Sequence, residues 1–180
     1  CVRPLGFLAD EVTLFQNALR ELVEAEVPYL ILDLRSRTLP GEYATAASML
    51  ECFVPEGELM FKLKQAGSGD TQLFISHAAP LWKKPVLVLV DADTGSLGET
   101  VAAVLRQRKL ALVIGSRTRG ATVQYETQAL DEQWQLRFAR AEMLLADDTS
   151  LFQRGLPVRF TRLQVAHYVF SHHNGVVNQQ

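Results

Sequence analysis

The sequence predicts an α/β fold, with a mainly parallel sheet covered by helices and a β-rich C-terminal part. Three observations carry this expectation. "YLILDL" (29–34), "PVLVLVD" (85–91) and "LALVIG" (110–115) are continuously apolar and strand-sized, the pattern of strands buried on both faces. Helically spaced segments separate them, so β and α alternate about three times, which implies right-handed β-α-β crossovers. Two long strand-like runs then follow, around "TVQYETQAL" and "WQLRFARAEMLL".

The elements follow in order. "VRPLGFL" (2–8) reads as a strand. Asp10 is expected to cap a helix that carries Val12, Phe15, Leu19 and Leu22 on one face. "RSRTLPGE" (35–42) has the turn residues of a loop. A second helix presents Tyr43, Ala46, Ala47 and Leu50 at helical spacing. "ELMFKLK" (58–64) alternates like a half-buried strand, "QAGSGD" is a flexible turn, and "TQLFIS" is a short strand. A helix over 97–107 follows the 85–91 strand. Asp131-Glu132 turns the chain between the last two strands, where the alternating Trp134, Leu136 and Phe138 are expected in the core. From Leu163 a short helix and a frayed tail are expected. This divides the chain into a core domain, 1–162, and a C-terminal extension, 163–180.

With 180 residues, 48% of them hydrophobic, the chain is long enough for one domain with a substantial core. A net charge of −2, with both signs interspersed, argues against a nucleic-acid partner. No apolar run is long enough to span a membrane. Cys1 and Cys52 are too few for a disulfide framework and lack metal-site spacing, so a surface thiol and a core thiol are expected. No metal or cofactor is implied. A chain that opens at Cys1 without a methionine reads as a fragment or processed form.

In such sheets ligands bind beyond the carboxyl ends of the strands. Three loops gather there: "RSRTLPGE", "DADTGS" and "GSRTRGATVQ". Ser96 lies at the start of the 97–107 helix, in the positive end of its dipole, where backbone N–H groups can hold an oxyanion. That is a nucleophile's address. Ser96-Leu97-Gly98-Glu99 is equally an S-x-x-E capping box, in which Glu99 reaches back to the Ser96 N–H and no chemistry is involved.

Three segments resemble the core of the C-terminal processing (tail-specific) serine peptidases of the S41 group. "YLILDLR" with its Pro-Gly loop is similar to the family's G-L-I-L-D-L-R-x-N-P-G-G. "PVLVLVDADTGSLGETVAAVLRQRKLALVIGSRTRGATVQ" is similar to its nucleophile helix and following strand. "LRFARAEMLLADDTSLFQRGLPVRF" resembles its closing segment. The pieces come in the family's order and at its distances, over residues 2 to about 160. The resemblance implies a ClpP/crotonase-like core and a serine nucleophile served by a lysine general base, which must be neutral to act. It places the nucleophile on Ser96 and the oxyanion donors on the backbone N–H groups of Gly41 and Leu97. The lysine-orienting glutamine falls on Gln124. A polypeptide substrate or ligand is implied, a C-terminal segment being one form of it. So are further domains such as an upstream PDZ domain, and an extracytoplasmic home.

The lysine itself is missing. Counting back from Gln124 places it at Gly120, and counting forward from Ser96 at Ala121, because the loop is one residue short. The last lysine of the chain is Lys109, expected at the opposite edge of the sheet. Arg117 and Arg119 occupy the loop, but arginine does not give up its proton. The family's second glycine is Glu42 here, whose carboxylate would disfavour an oxyanion. One offshoot of the group pairs serine with histidine. His77 reads instead as a surface-loop residue, and His167, His172 and His173 lie in the C-terminal stretch, without the further ligands a metal site needs. Lys83-Lys84 reads as a solvated loop. Two functional classes remain: a serine peptidase with impaired catalysis, or a non-catalytic domain that reuses the fold to bind a peptide or ligand. Vertebrate retinoid-binding proteins that resemble this fold show such reuse. A purely structural domain is a third option.

Overall fold

The apolar runs form one parallel sheet. The computed structural model describes residues 1–35 and 41–158. Its elements are α1 (Ala9–Glu24), β1 (Leu30–Asp33), α2 (Tyr43–Leu50), β2 (Leu59–Gln65), β3 (Thr71–Ile75), β4 (Val86–Val90), α3 (Ser96–Gln107), β5 (Ala111–Gly115), β6 (Val123–Ala129) and β7 (Gln135–Leu145). The parallel sheet has the order β1-β4-β5, with Leu30 opposite Val86 and Val86 opposite Ala111. The remaining strands form an antiparallel sheet of order β3-β2-β7-β6. The β-rich part therefore recruits two strands from the middle of the chain.

Helix α3 is the centre of the packing. Leu97, Val101, Ala102, Ala103, Val104 and Leu105 are all buried, and burying a leucine or valine side chain contributes about 1.5–3 kcal/mol. Small residues at 102 and 103 let neighbouring elements approach closely. Helix α1 buries Val12, Phe15 and Leu19, the expected face. From α2, Tyr43 packs on Phe61 of β2, with ring centroids 5.9 Å apart. Phe61 in turn stacks on Phe74 of β3 at 4.4 Å. The antiparallel sheet thus packs against α2 through aromatic contacts. Cys1 is exposed and Cys52 buried, both free.

Three expectations are corrected. Residues 2–8 form no strand; only isolated bridges join Val2 to Leu32 and Phe7 to Gly41. Pro4 lacks the N–H that a ladder needs between them. Asp10 is not the cap of α1. Leu8 is the N-cap residue, and its N–H donates to the Glu11 carboxylate at 3.1 Å. Trp134, Leu136 and Phe138 are not core: they are 67%, 48% and 38% exposed. The β6–β7 hairpin runs past β2, which pairs with β7 only at residues 141–145. Nothing among the described residues covers the outer part. The predicted C-terminal helix and extension, 163–180, lie outside the described residues, as do residues 36–40 of the first loop.

Candidate active site

Ser96 stands on a sharp turn between β4 and α3. The turn is built by Asp91, whose carboxylate accepts the N–H groups of Asp93 at 3.0 Å and Thr94 at 2.9 Å. The Thr94 hydroxyl donates to the Leu34 carbonyl at 3.0 Å, tying the turn to the end of β1. Gly95 is the N-cap residue of α3 with φ −140°. Ser96 follows with φ +49°, in the left-handed region that costs a non-glycine residue on the order of 1–3 kcal/mol.

The capping box does not form. Ser96 lies inside the helix, and Gly95 precedes it as the cap. Glu99 is fully buried and turns away from Ser96. Its carboxylate accepts the Thr118 hydroxyl and the N–H groups of Gly120 at 2.8 Å and Ala121 at 2.9 Å. Thr118 Oγ1 in turn accepts the Leu156 N–H at 2.6 Å. Glu99 therefore fastens the 116–121 loop to the start of α3. A carboxylate with three donors is satisfied where an unpaired one would not be tolerated.

That fastening separates the two candidate positions for a base. Gly120 has φ +75°, and a Cβ there would stand 2.8 Å from the Gly155 N and 2.9 Å from the Arg154 N. No side chain fits. Ala121 lines the cleft with Ser96, its Cβ 3.5 Å from where a Cβ on Gly95 would be. The cleft has a volume of about 280 Å³. Gly95 and Ser96 form one wall, Arg119 and Ala121 a second, and Val123, Tyr125 and Arg137 a third. The Arg137 guanidinium lies 4.3 Å from the Tyr125 ring centroid, a stacked cation–π geometry.

Tyr43 enters this site unannounced by the sequence. Its ring is 5% exposed, and its hydroxyl has no hydrogen-bond partner. Burial pushes the phenol up to about 12, and the hydroxyls of Ser96 and Thr100 act on it in the opposite direction. Its hydroxyl therefore lies within the influence of both Ser96 and Thr100 of α3. Helical periodicity shows only that position 43 is inward; the hydroxyl gives no pattern. Arg137 was hidden likewise, since it reaches the cleft only through the β6–β7 pairing.

The other expected residues divide. The Leu97 N–H lies in the first turn of α3, where N–H groups lack intrahelical partners. Gly41 has φ +140°, and a Cβ there would stand 2.2 Å from the Phe7 carbonyl oxygen, so glycine is required. Glu42 is exposed, with ordinary φ −126° as the N-cap residue of α2. Gln124 is exposed, beside an irregularity in the β6–β7 register, and lies beyond the residues that line the cleft. His77 is exposed, and its N–H donates to Glu51 at 3.0 Å, away from Ser96. His167, His172 and His173 lie outside the described residues. Lys109 follows the far end of α3, roughly 18 Å along a 12-residue helix at 1.5 Å per residue. Arg117 donates to the Arg154 carbonyl at 3.0 Å. A larger cavity of about 500 Å³, beside Trp82 and Lys109, lies at that far end and contains none of the expected residues.

Comparison with known proteins gives the same picture. The chain is 27% identical over 103 residues to carboxyl-terminal-processing peptidase 1, chloroplastic, of Arabidopsis thaliana, covering 57% of this chain and 21% of that protein. It is 27% identical over 120 residues to the carboxyl-terminal-processing protease of Synechocystis, covering 66% and 27%. Among solved structures, the photosystem II D1 C-terminal processing protease superposes with a TM-score of 0.76 at 21% identity, over 88% of this chain and 41% of that one. The chain thus spans about a quarter of the length of these curated relatives. Residues 6–158 match the profile of peptidase family S41. That match covers both sheets, the strained serine turn and the loop pinned above it, and the chain belongs to peptidase family S41.

Proposed function

We propose that this chain is a polypeptide-binding S41 domain in which Ser96 stands at the nucleophile position and catalysis is impaired for want of a proton acceptor. One observation carries this: the cleft beside Ser96 is lined by Arg119 and Arg137 and by no lysine, histidine or carboxylate among the described residues. A serine hydroxyl needs a base within about 2.6–3.2 Å to attack a carbonyl. A guanidinium cannot take that proton. The strained Ser96 backbone and the first-turn N–H of Leu97 support a site otherwise retained. Gly41 and Leu97 are the proposed oxyanion donors, and Ala121 the position where the family's lysine would stand. The proposal includes further domains in the full-length protein, a PDZ domain among them.

Incubation with a fluorophosphonate and intact-mass measurement tests this reading. No adduct is expected. A single adduct abolished by Ser96→Ala would overturn it and point to a hidden base. A gain-of-function variant probes the cause. Ala121→Lys should restore labelling and weak cleavage of an unfolded polypeptide, rising with pH as the amine loses its proton, since general-base assistance is worth about 10²–10⁴-fold. If it does not, the missing lysine is not the main defect, and a binding domain that reuses the fold becomes the better description.

A further inference from the structure

We propose that the Ser96 cleft binds the free C-terminal carboxylate of an extended peptide through the guanidinium groups of Arg119 and Arg137. This rests on the reading that the cleft handles polypeptides, and adds what holds them. The two arginines come from the loop after β5 and from β7, and converge on one cleft. Neither takes part in the ion pairs of the described residues, which join Asp33 to Arg35, Lys62 to Asp148, Arg108 to Glu58 and Arg140 to Glu126. The carboxylate of Glu99 does not neutralise them from inside, because its oxygens are taken by Thr118, Gly120 and Ala121. Arg137 is held flat by Tyr125, which presents its planar fork in a fixed orientation.

The other polar groups point the same way. The start of α3 contributes the positive end of its dipole and the Leu97 N–H. The cleft is therefore rich in donors and poor in acceptors, and the complementary ligand is an acceptor-only group such as a carboxylate.

A peptide fits better than a small acid because of β6. This strand is the edge of its sheet, so its outer N–H and C=O groups are open to an added strand. A peptide antiparallel to β6 would run from beside Ala129 to beside Val123, and its C-terminus would arrive at Tyr125 and the cleft.

The test titrates the chain calorimetrically with an acetyl-capped alanine/valine hexapeptide acid, its C-terminal amide, and the amide with one glutamate added at its acetylated end. The third probe carries the charge of the first without the terminal carboxylate. Sodium acetate is a fourth. The acid is expected to bind at least about tenfold more tightly than either amide, the scale of a charge-assisted contact. The Arg119→Gln/Arg137→Gln double variant, with unchanged circular dichroism, should lose that preference. Equal binding of acid and amides, no binding of the acid, or acetate competing as strongly as the peptide would each overturn the proposal. These outcomes leave the fluorophosphonate result untouched. Conversely, labelling of Ser96 would sink the impaired-catalysis reading while the carboxylate preference could still be read on Ser96→Ala.

Discussion

Replacing Ser96 with glycine should make the protein more stable, although it removes a polar residue from the start of a helix. The perturbation acts on the backbone. Ser96 has φ +49°, and holding an L-residue there costs about 1–2 kcal/mol. Glycine escapes that cost but loses more chain freedom on folding, worth roughly 0.5–1 kcal/mol. Taking the middle of each range, the difference is a gain of about 0.75 kcal/mol, a Tm rise of about 1.5–3 °C for a chain of this size. Ser96→Ala keeps the strain and removes only a hydroxyl that caps nothing, so it should stay within about 0.5 kcal/mol of the parent. A capping serine behaves in the opposite sense: alanine costs about 0.5–2 kcal/mol and glycine a few tenths. Urea denaturation at neutral pH, with m-values compared to confirm a common unfolded state, separates the two patterns. A loss near 1 kcal/mol for Ser96→Ala, together with no gain for Ser96→Gly, would refute the strained-turn account and restore the cap.

Further outcomes follow from the buried polar groups. Glu99→Ala strands the Gly120 and Ala121 N–H groups and should cost at least about 2 kcal/mol, with faster amide exchange over 116–121 read by mass spectrometry; unchanged exchange would show that Glu99 does not hold the loop. Asp33 is held below its ordinary carboxylate range, chiefly by the Arg35 side-chain hydrogen bond. A lowered value means that the pair stabilises above the unfolded pKa and is lost as pH falls through the folded one. Arg35→Met should therefore weaken the protein at neutral pH and flatten its acid-side stability loss, and an identical acid limb would count against the pair. Burial pushes the Cys52 thiol up to about 12, so Ellman's reagent at mildly alkaline pH should titrate Cys1 alone until denaturant is added; a second fast-reacting thiol would contradict the packing.

The sequence made the parallel sheet easy to read because a strand largely covered on both faces is apolar, as the central β4 is throughout; β1 is apolar up to Asp33, and the apolar β5, at the sheet edge, leaves Leu112 41% exposed. It made the β6–β7 arm misleading. Alternation of Trp134, Leu136 and Phe138 shows that they share a face, but periodicity carries no information on whether anything covers it. The S-x-x-E pattern at 96–99 was ambiguous for a similar reason. A capping box and a strained turn can use the same letters, and only the φ of Ser96 and the direction of Glu99 tell them apart. Ser96 was reachable from its place at the start of a helix, and Leu97 and Ala121 through the family resemblance. Tyr43 and Arg137 were not, because they meet Ser96 only through the packing of α2 on α3 and the pairing of β6 with β7.

The way Glu99 grips its loop has an evolutionary consequence. Two of its three bonds go to main-chain N–H groups at 120 and 121, which every residue except proline provides. The architecture is therefore blind to which side chain stands at 121. A single codon change there can add or delete an amine facing Ser96 while the scaffold remains intact, so chemistry and folding in this chain are free to drift independently.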